Sequence, residues 1–144
     1  MTHYDNGHYA AKHKGHQEPN PVVVELLKER AADGEASCAV AHQIAEEVGL
    51  APAEVGRNID LLEIKIVKCQ LGLFGYRPEN RKVKPADEIE PGLEEAIKAG
   101  LKDGSLFCSE AWAIADRMGL TKMAVSSACE KLGLRIRRCQ LGAF

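Results

Sequence analysis

Aromatic residues make up only 5% of this 144-residue chain, and nowhere does an apolar run approach the roughly 18 residues that a bilayer-spanning helix needs. The first scarcity leaves Leu, Ile, Val and Ala to fill a core, which favours helices over a sheet sandwich rich in aromatic and β-branched residues. The second predicts no membrane partner. The N-terminus, with Asp5, Asn6 and four histidines, also lacks the apolar core of a signal peptide, so a cytoplasmic protein is expected. There is no Gly-rich phosphate loop, no Gly-x-Ser-x-Gly elbow and no His-Glu-x-x-His, and the acidic residues fall on helix faces that read as solvated. The sequence therefore predicts no enzyme and no cofactor.

Charge of either sign is not in excess: 19 Lys and Arg stand against 21 Asp and Glu, a formal net of −2. That excludes a general polycation for nucleic acid but leaves room for a local basic face. Five cysteines, an odd number with no Cys-x-x-Cys chelate among them, predict reduced thiols before a disulfide framework. What the chain does have is ordinary for a folded protein, with 45% hydrophobic and 28% charged residues, enough for one domain or two very small ones.

The dominant feature is an internal repeat. Sliding the chain by 70 residues aligns Asp33-Gly34 with Asp103-Gly104, Cys38 with Cys108, Gly49-Leu50 with Gly119-Leu120, and Cys69-Gln70-Leu71-Gly72 with Cys139-Gln140-Leu141-Gly142. Without a gap, 18 of the 50 positions from Glu25 to Phe74 match their partners. The organisation read from this offset is a disordered His-rich tail over residues 1–20, repeat A over 21–76, a Pro- and charge-rich linker over 77–91, and repeat B over 92–144. Pro78, Pro85 and Pro91 make the linker an extended or turning connector.

Within repeat A, Val23, Leu26, Leu27 and Arg30 keep helical spacing, and Asp33-Gly34 supplies a helix stop. Cys38, Ala41, Ile44, Ala45 and Val48 then share one face of a second helix that Gly49 ends. Pro52 opens a third helix carrying Val55, Ile59 and Leu62. Ile64 to Lys68 alternates as a strand, and Gly72 and Gly75 allow a hairpin return. Repeat B follows the same order, with Thr121 placed to cap its third helix and Leu134 to Arg138 as strand. Its chain stops at Phe144, which leaves a truncated second wing strand. The expected fold is mainly α with short β-hairpins, its core around Val55, Ile59 and Leu62 and around Val125, Cys129 and Leu132.

Ile44-Ala45, Gly49-Leu50 and Val55, with Ile114-Ala115, Gly119-Leu120 and Val125, resemble the helix-turn-helix signature. Followed by a strand, each repeat resembles a winged-helix domain, over roughly 105 residues in all; the repeated Cys-Gln-Leu-Gly is not part of that generic pattern. The resemblance implies two tandem winged-helix repeats and DNA binding, with transcription regulation as the biological setting. Charge assigns the role. From Val22 to Phe74 five basic residues meet nine acidic ones, a net of −4, whereas from Gly92 onward eight meet six, a net of +2. Repeat B is the expected DNA-binding half, with Lys122, Ser126, Ser127 and Lys131 facing the groove and Arg135, Arg137 and Arg138 meeting phosphates. Repeat A, which turns Glu54, Arg57, Asn58 and Leu61 outward, is expected to hold a protein partner or a second copy.

The alternative reading is a non-enzymatic protein-interaction adaptor, in which the basic strand is only a solvated edge. Cys38 and Cys69 recur as Cys108 and Cys139 at the same spacing of 31, so each pair is a candidate thiol or metal site, weighed against the ordinary burial of cysteine as a small hydrophobe. Cys129 reads as core. His3, His8, His13 and His16 are candidate metal ligands in the tail. Trp112, outward on the second helix of repeat B, reads as an interface anchor.

Overall fold

The structure is a computed structural model that describes residues 9–13 and 18–144. Helix α1 (Pro21–Arg30) starts where Asn20 caps it, the Asn20 side-chain oxygen accepting from the amides of Val22 at 2.9 Å and Val23 at 3.3 Å, with Pro21 in the first turn where its missing donor costs nothing. The helix ends at Arg30, ahead of the Asp33-Gly34 stop read from the sequence. Those two residues instead take φ of 53° and 74° and turn the chain between bridged Ala32 and Glu35, as a two-residue hairpin turn requires. Strand β1 (Glu35–Ser37) follows directly, then α2 (Cys38–Val48), capped by Ser37 and closed by Gly49, and α3 (Pro52–Leu61).

Strand β2 (Lys65–Val67) pairs with β1 in parallel, Glu35 opposite Lys65 and Ser37 opposite Val67. This corrects the expected hairpin. A parallel pair needs a long crossover, and α2 and α3 together provide it. Beyond Val67 the chain turns away instead of doubling back, with Lys68 at φ 53° and Gly72 at φ 75°. Helices α4 (Leu93–Gly100), α5 (Cys108–Met118) and α6 (Lys122–Leu132) and strands β3 (Ser105–Phe107) and β4 (Arg135–Arg137) repeat the order, with β3 parallel to β4. The result is mainly helical with short strands. The correspondence extends to backbone strain: Asp103 and Arg138 take the same left-handed φ as Asp33 and Lys68, and Glu63 takes one where its repeat partner is Gly133.

The described residues form two compact units. Unit 1 runs to Cys69 and is completed by Gln140–Phe144, and unit 2 is Gln70–Cys139. Each unit therefore contains the three helices of one repeat and the Cys-Gln-Leu-Gly continuation, from Gln onward, of the other. In unit 1 the core is Val23, Leu27, Ile44, Val55, Ile59 and Ile66, joined by Leu141 from the far end of the chain. Gly56 of α3 shows how tightly that end is seated, because a methyl built on it would overlap the Leu141 carbonyl oxygen. In unit 2 Ile97, Leu106, Ile114, Val125 and Cys129 are buried, with Leu71 and Phe74 from the preceding repeat. Leu62 and Leu132, expected in the core, are only half-buried.

The third helix of each unit is covered by the segment that precedes its first helix. Residues Tyr9–His13 form a turn of 3-10 helix against α3. The Glu63 carboxylate accepts from the amides of Tyr9 at 2.9 Å and Ala10 at 3.0 Å, and the buried Asp60 carboxylate binds Lys12 Nζ at 2.9 Å and His13 Nε2 at 2.8 Å. Tyr9 is buried, so the disorder read from the tail's polarity does not extend to these five residues. In unit 2 residues 81–87 do the same to α6: Arg81 pairs with Glu130, Ala86 donates to the Ser127 carbonyl, and Lys131 Nζ donates to the Asp87 carbonyl at 3.0 Å. Asp60 and Glu130 are repeat partners.

Candidate nucleic-acid interface

The helix expected to read DNA is not open for it. Ser126 is fully buried and its hydroxyl has no hydrogen-bond partner among the described residues; Ser127 is half-buried, its carbonyl accepting from Ala86, and Lys131 donates to the Asp87 carbonyl. Lys122 lies with its ammonium 4.5 Å above the Trp112 ring. Of the four residues assigned to the groove only Lys131 is exposed, and its ammonium is hydrogen-bonded to the covering segment. The same holds in unit 1, where Asn58, expected outward, is buried, its amide donating to the Glu54 carbonyl at 2.9 Å and its carbonyl accepting from Asn20 N–H. The physical reason is that a small or polar face on a helix suits a polar chain segment, docked through its backbone, as well as it suits water.

Strand β4 is different. Arg135 and Arg137 are exposed on one side of the strand, with half-buried Ile136 between them facing the other way, and Arg138 follows, also exposed. No carboxylate pairs with any of the three among the described residues. Arg138 stacks its guanidinium 4.9 Å from the centroid of Phe107, and Lys102 places its ammonium 5.4 Å from the same ring. Each such contact contributes about 0.5–1 kcal/mol at an exposed site, enough to orient the cations without neutralising them. Phe107 also replaces Ser37 at the start of the second helix, so α5 begins with no side-chain cap. The β3–β4 pair thus carries exposed Arg135, Arg137 and Arg138, with Arg138 and Lys102 held at the Phe107 ring. Sequence reasoning found the three arginines but missed Lys102 and Phe107, although a phenylalanine where the other repeat has a capping serine was visible.

Trp112 is half-buried beneath Lys122, not the exposed anchor expected. Among the described residues no disulfide joins the cysteines: Cys38, Cys69, Cys108 and Cys129 are buried and Cys139 is half-buried. The parallel ladders carry Cys38 and Cys69 to the same end of one strand pair, and Cys108 and Cys139 to the same end of the other. Among the described residues no three His, Cys, Asp or Glu side chains gather as a metal site needs. Burial, and then the neighbouring Glu130 carboxylate, push the Cys129 thiol up to about 11, as a core thiol requires. His13 is engaged with Asp60, while His3, His8 and His16 lie outside the described residues. Among the described residues no helix is long and apolar enough to cross a membrane. Compared with protein-family models, with curated proteins and with solved structures, the chain matches none.

Proposed function

We propose that this chain is a non-enzymatic, cytoplasmic DNA-binding protein of winged-helix type, a transcription regulator that engages DNA through unit 2. The order helix, strand, helix, helix, strand in each unit supports the winged-helix reading. The observation that carries the function is β4: three exposed arginines without a carboxylate partner among the described residues, beside Lys102 on an aromatic platform. Guanidinium groups so placed bind phosphate oxygens and release condensed counterions, which yields affinity that falls steeply with salt. With α6 covered, phosphate contact through the strand comes before any groove reading by Lys122, Ser127 or Lys131. Unit 1, built on the acidic repeat, is the half suited to a protein partner or a second copy.

The covering of α6 favours a second reading, the protein-interaction adaptor, and one experiment separates the two. A salt-dependent titration of the full chain with duplex DNA is expected to show saturable binding, and Arg137→Ala with Arg138→Ala is expected to lower the slope of log affinity against log salt by about two, one per phosphate contact. No binding at low salt removes DNA and leaves the adaptor.

A further inference from the structure

The parallel ladders leave a pair of thiols in each unit just past the end of its two strands. In unit 2 the last paired residues are Phe107 and Arg137. Cys108 follows Phe107 directly as the first residue of α5, and Cys139 follows Arg138, whose left-handed φ of 54° turns the chain there. Unit 1 places Cys38 after Ser37, and Cys69 after Lys68 at φ 53°, in the same way. Paired strands lie about 4.8 Å apart and a disulfide spans Cα atoms up to about 7 Å apart, so positions one and two steps beyond a paired couple fall within bridging range. In unit 2 α5 also packs against β4. Cys129 lies inside α6 and belongs to neither pair.

The two pairs differ in access. Cys38 and Cys69 are both buried, and the Ser37 cap fixes the start of α2 beside them. Cys108 is buried too, but Cys139 is half-buried, and α5 starts on Phe107 with no side-chain cap. One thiol that solvent reaches, beside one that it does not, is the arrangement of an attacking and a resolving cysteine. We propose that Cys108 and Cys139 are a redox-active dithiol, which a low-molecular-weight disulfide converts to a reversible bond between them. The Cys139 thiolate attacks one sulfur of the small disulfide and expels a small thiolate, leaving a mixed disulfide. The Cys108 thiolate then attacks Cys139 Sγ and expels the second. Both cysteines are oxidised, the small disulfide is reduced, and the two cysteine protons end on the two small thiols. Excess small thiol runs the same steps backwards, so a reducing compartment keeps the pair open. The inference rests on the cysteines alone and is independent of the DNA reading.

The test exposes the reduced full chain to oxidised glutathione in native buffer, alkylates the remaining thiols, and maps the digested chain by mass spectrometry without reduction. A Cys108–Cys139 link within one chain is expected, reversed by dithiothreitol. Cys38 and Cys69 must wait for local opening, so their modification is expected to be at least about tenfold slower. Cys108→Ser removes the second step and is expected to trap glutathione on Cys139, whereas Cys139→Ser is expected to abolish the fast reaction. The trapped species is a readout within the Cys108→Ser protein itself, and circular dichroism of both variants confirms that they are folded. If Cys108→Ser does not fold, the order of events in the parent chain decides, with glutathione appearing on Cys139 before the link. Glutathione that stays on Cys139 in the parent chain overturns the proposal, because Cys108 then does not reach it. So does a link that forms only after denaturation, a Cys38–Cys69 link that forms as fast, or a bond that joins two chains instead.

Discussion

In unit 1 the second helix starts on Ser37, whose hydroxyl accepts from the Val40 amide at 3.1 Å; in unit 2 the equivalent residue is Phe107, and it carries two cations on its ring instead of a cap. In unit 1 β2 is half-buried, with Lys65 and Val67 flanking a buried Ile66; in unit 2 β4 shows Arg135 and Arg137 to solvent. The helix-covering segment of unit 1 is pinned to buried Asp60, whereas that of unit 2 is pinned to a more exposed Glu130. The backbone is common to both, down to its left-handed residues. Unit 1 buries an acidic group against its covering segment, and unit 2 leaves the arginines of β4 outward. Two copies of one architecture thus differ most in where their charge is spent.

The strongest way to break that comparison is at Gly56. Its repeat partner is Ser126, which already carries a Cβ, so the glycine is needed only where the far end of the chain presses on α3. Gly56→Ala is expected to destabilise unit 1 by about 3 kcal/mol or more, because the overlap is with a backbone carbonyl that has no rotamer to change. The single tryptophan, Trp112, belongs to unit 2, so circular dichroism should show the loss at lower denaturant than tryptophan emission does. Coincident, unshifted transitions would mean that the seat of Leu141 is slack.

Asp60 and Glu130 sharpen the comparison next. The Asp60 side chain is 2% exposed and meets both Lys12 Nζ and His13 Nε2; that of Glu130 is 33% exposed and answers Arg81. Removing the buried partner strands charge that solvent reaches poorly, so Asp60→Ala is expected to cost about 2–3 kcal/mol, less than a fully buried pair because Lys12 and His13 keep some access to water. Glu130→Ala is expected to cost no more than about 1 kcal/mol. Equal losses in urea unfolding would show that the two segments are held alike after all.

The repeat, the helix order and the stops at Gly49 and Gly119 were legible in the sequence because each rests on local chemistry: a cap, a left-handed turn, an apolar stripe. The parallel pairing was not, since a strand three residues long bears no mark of its partner's direction. The covering of the third helices was hidden for a different reason. Ser127 and Lys131 look the same whether they meet water or a docked segment, and the segments themselves read as tail and linker. A signal did exist. Lys12, Lys14, Glu18 and Pro21 recur as Lys82, Lys84, Glu88 and Pro91 at the same offset of 70, and a linker that repeats is part of the repeat. The arginines of β4 were readable from charge alone, whereas Lys102 joins them only through the Ala32-type bridge that folds it back beside Ser105.

Alkaline titration separates the units by one side chain. Cys129 in α6 stands where α3 has Ile59, and its thiol is held at about 11 against an ordinary value near 9.0, first by burial and then by Glu130. A raised acid keeps its proton in the folded chain after the unfolded chain has lost it. Stability below pH 9 is therefore untouched, and stability falls as pH rises from 9 towards 11, by up to about 1.4 kcal/mol for each unit. Trp112 emission should report that fall for unit 2, and Cys129→Ile, which copies unit 1, should flatten it. A slope that survives the substitution would place its origin elsewhere.

The smallest expected effect returns to the helix starts. Ser37→Ala removes the one side chain that caps α2 and is expected to cost unit 1 about 1 kcal/mol, the usual value for losing such a cap. Phe107→Ser writes the unit 1 solution into unit 2: it offers α5 a hydroxyl cap of similar worth and takes away the ring beneath Lys102 and Arg138. Cap gained and ring lost oppose each other, so the net change in stability is expected to stay within about 1 kcal/mol while the two cations lose their platform. If the ring's role is to orient cations for phosphate, DNA affinity should drop in this variant although every arginine remains and the salt slope, which counts charges, stays the same. An unchanged affinity would mean that the arginines act as a diffuse patch, and that the difference between Ser37 and Phe107 belongs to folding alone.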